Sequence, residues 1–417
     1  MLRSFLCAIL ASAVLTPQLP PGAEIKVASV QVRGNQRYTA EEIARLSGVE
    51  IGKPATPADF TAAASLLAST GLFDSVRYTY TTGRVMTVTF DVAEAAWTIP
   101  VVFDNFVWLP DDQLTAALRA EVPSFDGTAP LNAGAAEFIR RALDNVLKTR
   151  GIPGRVDFTA QGKLGGSVMK YLFAVKDPSP KLCALHFAGT SGIGERDLVG
   201  ALQAAIGDEY SRFFVSTAAE GTLTDIYRRK GFWRASFATP IAALDSCPGV
   251  AVTVPVTEGV VYAWDHAEWS GNQALNATAL DRALAMKSGE VADSGRIDVG
   301  LRAVHTLYGV QGYVTQRASI EPRLDDATRR AVFAIAIEEG PQYHMGVLTF
   351  EGIRDADGAM LSRKWKLKQG DVYDESYVRT FEREELLPLR TVAGARGGLE
   401  THLDAARRMI DVNIVFK

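Results

Sequence analysis

From Ile25 to Val32 (IKVASVQV) apolar and polar residues alternate, the pattern of a half-buried strand. Gly34-Asn35 follows as a turn, since both residues tolerate positive φ. Thr39-Ala40-Glu41-Glu42 predicts a capping box, and Ile43 and Leu46 supply the apolar face of a short helix ending near Gly48. Gly52 opens the next connection. Thr56-Pro57-Ala58-Asp59 then starts a second helix, with Phe60, Ala64 and Leu67 on one face and Gly71 at its end. Leu72-Phe73 leads into a strand around Val76 to Tyr80, and Gly83-Arg84 turns the chain. Met86, Val88, Phe90 and Val92 alternate with polar residues in a closing strand. The predicted order is β-α-α-β-β.

That order recurs. A Gly after a short apolar strand is followed by another 18 positions later at Gly34/Gly52, Gly189/Gly207, Gly271/Gly289 and Gly352/Gly370. Helix-exit glycines stand at Gly71 and Gly231. Gly189 to Gly271 is 82 residues and Gly271 to Gly352 is 81, a period that indicates an array of small modules. In the fourth unit Ile297, Leu301, Val304 and Tyr308 make a helical stripe, and Phe333, Ile335 and Ile337 a closing strand. Val252, Val254 and Val256 close the third, and Ile410, Val412, Ile414 and Phe416 the fifth. Three closing strands end alike, in Val92-Ala93-Glu94, Val256-Thr257-Glu258 and Ile337-Glu338-Glu339. The second unit departs from the frame, with Asn105 in place of the first Gly, and keeps only its Arg150-Gly151-Ile152 exit and the Tyr171 to Val175 strand. The fifth has Leu387-Pro388-Leu389 where others have an exit glycine.

Gly-Asn after the first strand, Gly before helix two, Gly-Leu-Phe or Gly-Phe-Trp after it, and a closing V-x-E together resemble the POTRA domain. The resemblance covers nearly all of residues 24–417. It implies an α+β fold, a tandem array of five β-α-α-β-β modules, each a three-stranded mixed sheet with two helices on one face. The expected modules are 24–96, 97–178, 179–261, 262–341 and 342–417, the second and fifth degenerate. POTRA domains are periplasmic arms of outer-membrane barrel-assembly and transport proteins. The resemblance therefore implies outer-membrane proteins or a barrel-assembly complex as partners, with peripheral association to the outer membrane. Such modules leave the strand after helix two at a sheet edge, where an extended client adds a strand. The expected edges carry Ser75, Val76, Arg77 and Tyr78 in the first unit and Trp233, Arg234, Ala235 and Phe237 in the third. A second reading is an architectural arm that docks on a separately encoded barrel without touching clients. The segmentation of a membrane barrel is not found in this sequence. One residue conflicts with the family topology: Pro255 falls in a strand that should be central, where proline is normally avoided.

The N-terminus adds an address. Arg3 precedes an apolar run from Phe5 to Leu15 and a Pro-rich stretch ending in Pro21-Gly22-Ala23, the layout of a secretory signal over residues 1–23. Cleavage after Ala23 is expected, with Ala13 as the alternative, and the mature chain is expected in the periplasm. Two cysteines then remain, Cys183 and Cys247, a disulfide candidate in an oxidising compartment or else two buried thiols. In the POTRA strand order both fall at one end of parallel neighbours, closing a 65-residue loop.

Composition narrows the chemistry. With 22% charged residues and a net charge of −4 there is no overall basic face for nucleic acid. The five histidines, His186, His266, His305, His344 and His402, lack ligand spacing, so no metal is expected. Gly189-Thr190-Ser191-Gly192-Ile193-Gly194 has the wrong glycine order for a dinucleotide loop, and Gly48 to Lys53 is too short for a P-loop. No cofactor, small-molecule substrate or enzymatic activity is expected, a hydrolase being a remote alternative. Trp233, Trp264, Trp269 and Trp365 are either recognition residues or packing residues.

Overall fold

The computed structural model describes residues 26–416 apart from 82–84, 163–167, 245–248 and 389–396. The expected signal segment 1–23, the Gly83-Arg84 turn and Cys247 lie outside the described residues.

The first module runs β1 (Val27–Arg33), α1 (Ala40–Leu46), α2 (Pro57–Ser69), β2 (Phe73–Thr81), β3 (Met86–Glu94). Both helices begin as their sequences dictate. Thr39 and Thr56 each accept from the third amide of the helix while Glu42 and Asp59 reach back, and Pro57 takes the first turn of α2. Strand β3 is central, parallel to β1 and antiparallel to β2. Phe60, Ala64 and Leu67 of α2 are buried in one cluster with Val76, Val88 and Phe90.

The second module comprises β4 (Thr98–Phe103), α3 (Asp111–Glu121), β5 (Thr128–Pro130), α4 (Ala133–Thr149), β6 (Arg155–Gly162) and β7 (Val168–Lys176), ordered β5-β4-β7-β6. The expected three strands are here four, because β5 pairs with the outer side of β4. Asn105 replaces the turn glycine by a different device. Its side chain donates to the Val175 carbonyl at 3.0 Å and accepts from the Val175 amide at 2.6 Å, so an amide closes the turn onto the last strand.

The third has β8 (Leu182–Ala188), α5 (Glu195–Ala201), α6 (Arg212–Ala218), a π turn over 219–223, α7 (Thr224–Arg229), β9 (Ser236–Phe237), β10 (Ile241–Leu244) and β11 (Val250–Thr257). Central β11 is parallel to β8 and pairs with β10 and then β9 on its other side. The edge strand is interrupted across Ala238 to Pro240, opposite Val254 and Pro255. Proline's missing donor thus faces a gap in the ladder, which removes the conflict seen in the sequence.

The fourth module follows as β12 (Ala263–Ser270), α8 (Ala277–Leu284), α9 (Ser294–Val310), β13 (Arg317–Asp325) and β14 (Arg330–Glu338). The fifth has β15 (His344–Glu351), α10 (Asp355–Lys364), α11 (Glu375–Phe381), a π turn over 382–386, β16 (Gly397–Asp404) and β17 (Met409–Phe416). Both repeat the first module's sheet, with orders β12-β14-β13 and β15-β17-β16.

By internal contacts the chain divides into two compact units, and the division passes through the third module. One holds residues 1–188, 199–217 and 239–255; the other holds 189–198, 218–238 and 256–417. In the first unit the cores of modules one and two are a single cluster, in which Tyr38 and Leu72 belong with Leu118, Phe125 and Ile139. In the second unit one joint occurs twice. The Gly231 carbonyl accepts from the Tyr262 amide and the Tyr262 carbonyl from Ala292, at 3.0 Å each. Gly312, Tyr343 and Tyr373 repeat this at 2.8 and 3.0 Å, 81 residues on. Among the described residues no helix is long and apolar enough to cross a membrane.

Candidate functional site

The repeat frame fixes which backbone is left unpaired. Gly34, Gly189, Gly271 and Gly352 all take positive φ. A Cβ on each would stand 1.9–2.4 Å from a carbonyl oxygen of the closing strand. The first strand is thereby pressed against the closing one. Gly52, Gly207, Gly289 and Gly370 also take positive φ but have nothing within 4 Å, so they serve only the turn. The closing V-x-E completes the clamp. Glu94 accepts from the amides of Gln36, Arg37 and Tyr38, Glu339 from those of Gln273 and Ala274, and Glu258 from Ser191 and Gly192. The Tyr227 hydroxyl donates to Glu258 and that of Tyr308 to Glu339. Burial would raise the Glu258 carboxyl, but the bonds from Gly192 and Ser191 outweigh it and hold it below its ordinary value.

With the closing strand central, the strand after helix two is an edge in every module. Ser75, Val76, Arg77 and Tyr78 lie on β2, a nine-residue edge strand. Val76 is buried beneath it, Arg77 is exposed, and Tyr78 leans back to Thr61 through a 2.8 Å hydroxyl contact. Tyr78 and Tyr80 stack at 6.5 Å along the same face. Three corresponding edges carry charge or proline, as β2 itself carries Asp74 and Arg77. Strand β13 carries Pro322 among Arg317, Glu321 and Arg323; β6 carries Arg155 and Asp157; β16 carries Glu400 and Asp404.

The third module departs from expectation. Trp233 and Arg234 occupy a turn and Ala235 follows it, so these three are not on an edge strand; Phe237 alone is, on two-residue β9. The cause is the joint. The Trp233 indole donates to the Ala292 carbonyl at 2.7 Å and its ring lies 5.0 Å from Phe333, while Arg234 donates to the Tyr262 hydroxyl at 2.9 Å. Phe237 packs edge-on against Tyr227 at 5.7 Å. The free edge is instead β10, which sequence reading missed. It has no charged residue, and Ile241 and Leu244 are 61% and 57% exposed. Beside it runs a groove of about 530 Å³ lined by Val107, Trp108, Pro110, Tyr210, Ile241 and Ala242. An uncharged edge of this kind is what native sheets usually avoid.

The tryptophans divide. Trp264 is buried and stacks on Phe333 at 4.6 Å; Trp365 packs with Tyr377 and Phe381; Trp269 donates to Asp281 at 2.7 Å. Those are packing roles. Trp97, which sequence reading passed over, is 82% exposed. Cys183, second residue of β8, is disulfide-bonded, and its expected partner Cys247 lies outside the described residues. Asp104 sits at the head of the groove, its carboxyl raised by burial against hydrogen bonds from the Phe213 amide and the Ser211 hydroxyl.

Residues 25–95 match the POTRA family model, described as a surface antigen variable number repeat. A putative outer membrane protein assembly factor of Treponema pallidum (strain Nichols) is 23% identical over 188 residues, covering 45% of this chain and 21% of that protein. The chain thus matches about a fifth of the length of this curated relative. Among solved structures, POTRA domains 3–5 of Haemophilus influenzae BamA align over 57% of this chain and 96% of theirs, at 20% identity and a TM-score of 0.42. The N-terminal domain of Omp85 from Thermosynechococcus elongatus aligns over 58% and 99%, at 17% identity and 0.27. The first module thus matches the POTRA family model, and the fourth and fifth repeat its β-α-α-β-β order.

Proposed function

We propose that this chain is a periplasmic scaffold in outer-membrane protein assembly, which engages extended segments of β-barrel clients by strand addition. The observation that carries the reading is the pair of edge strands after helix two, β2, which runs nine residues, and β10, which has no charge, beside a counterpart β13 that carries Pro322. An incoming strand pairs backbone to backbone, so client sequence matters little, and alternate side chains reach the sheet faces. On β2 these meet the Tyr78–Tyr80 face, and on β10 the groove beside Trp108. The relative named as an outer membrane protein assembly factor supports the cellular setting.

Hydrogen exchange of the full chain tests this, with and without a ten-residue peptide of alternating apolar and polar residues. Added protection is expected at Phe73–Thr81 and Ile241–Leu244 and none at Arg317–Asp325, whose Pro322 serves as an internal control. Uniform protection, or none at β2, would overturn strand addition and leave the architectural reading, an arm that docks without client contact.

A further inference from the structure

The fifth module carries a feature that the repeat does not need. In the eight residues before its second glycine, Ser362 to Gln369, stand Arg363, Lys364, Lys366 and Lys368, with no acidic residue. The same eight positions hold Arg45 and Glu50 in the first module, no charge in the third, and Asp281, Arg282 and Lys287 in the fourth. Fold alone therefore does not call for this basic run.

Its geometry is fixed. After α10 the chain has no regular secondary structure from Trp365 to Lys368, Trp365 itself taking extended backbone angles. The Lys366 amide donates to the Tyr377 hydroxyl and the Lys368 amide to Asp371, each at 2.7 Å. Trp365 and Leu367 pack inward on the module's core. Lys366 and Lys368 alternate with these and are exposed, as are Arg363 and Lys364. Lys364 pairs with Glu385; Arg363, Lys366 and Lys368 pair with no carboxylate among the described residues. Arg363, Lys366 and Lys368, with the paired Lys364 beside them, thus make a short exposed basic ridge on a chain whose net charge is −4.

We infer that this ridge docks the fifth module on an anionic phospholipid surface. A row of exposed ammonium and guanidinium groups suits an array of headgroup phosphates better than one enclosed anion. Each such cation near an anionic bilayer contributes on the order of 1 kcal/mol, so the ridge gives reversible, salt-sensitive attachment. The inference goes beyond the strand-edge reading, because vesicle binding and peptide protection on β2 are measured separately.

The test is co-sedimentation of the chain, purified from the cell envelope, with vesicles of phosphatidylcholine alone or with about 30% phosphatidylglycerol. Binding is expected only to the anionic vesicles, and lost at about 0.5 M salt, where screening reaches within roughly 4 Å. The variant Lys366→Ala/Lys368→Ala should bind about 30-fold more weakly. Arg282→Ala/Lys287→Ala, which removes two exposed cations from the same frame of module four, should bind as wild type. Equal binding by the ridge variant, equal loss in the module-four variant, or equal binding to phosphatidylcholine alone would each overturn the inference. So would abolition by 10 mM inorganic phosphate, which marks a free-anion site, or capture of a polyglutamate peptide without vesicle binding.

Discussion

Alanine at Gly271 and at Gly289 separates two uses of glycine that look identical in the sequence. Both residues take positive φ, +77° and +89°. An L-residue in such a conformation costs roughly 1–2 kcal/mol, and Gly289→Ala should cost that alone, since nothing lies within 4 Å of the added carbon. At Gly271 the same carbon would sit 2.1 Å from the Ile337 carbonyl oxygen. Relief requires the end of β14 to move off β12 where Ser270 pairs with Ala336, and the neighbouring Glu339 to slacken its hold on Gln273 and Ala274. Losing two or three such hydrogen bonds at about 1 kcal/mol each brings the total to roughly 3–5 kcal/mol. The two variants should therefore differ by about 2 kcal/mol or more. Native-state hydrogen exchange across Arg330–Glu338 reads this locally, which matters because five modules will not unfold in one step. If both variants lower protection equally, within about 0.5 kcal/mol, the first glycine is no more than a turn residue and the clamp account fails.

Three further outcomes follow from the same geometry. Glu339→Ala leaves the Tyr308 hydroxyl and two loop amides without their acceptor, and should destabilise the fourth module by about 1–3 kcal/mol, read by hydrogen exchange in α9. Glu258 has a folded-state pKa below its unfolded value, so its stabilisation is present above the ordinary carboxylate pKa of about 4.5 and fades as pH falls through the lowered value; Glu258→Gln should flatten that acid limb in pH-dependent denaturation. Peptide mapping without reductant should link Cys183 to Cys247, and reduction should cost the third module about 4 kcal/mol by the loop-entropy relation, less any strain; a free thiol at Cys247 contradicts the pairing.

The strand and helix order was legible because turn glycines, capping boxes and alternating strands are local signals. Thr39, Pro57 and Gly34 each announce their role within four residues. The closing glutamates were visible as a repeated ending, yet their purpose was not, since Glu94, Glu258 and Glu339 bind amides some 56 to 67 residues away. Trp233 to Ala235 read as strand because tryptophan and arginine suit an exposed edge, whereas a contact with the following module, through Ala292 and Tyr262, bends them into a turn. Strand β10 escaped notice for the complementary reason. Ile241-Ala-Ala-Leu244 has no alternation, and only pairing with Val250–Thr253 makes it a strand. Its neighbour groove is likewise assembled from loops far apart in sequence, around Trp108 and Tyr210.

The most direct test of the central claim is photo-crosslinking in the intact cell envelope, with the reactive residue at Arg77 on β2 or Ala243 on β10. Strand addition predicts that many outer-membrane proteins are captured at both positions, and that a probe at Arg323 on β13 captures none. Capture of one partner in stoichiometric yield, with no clients at either edge, would contradict it.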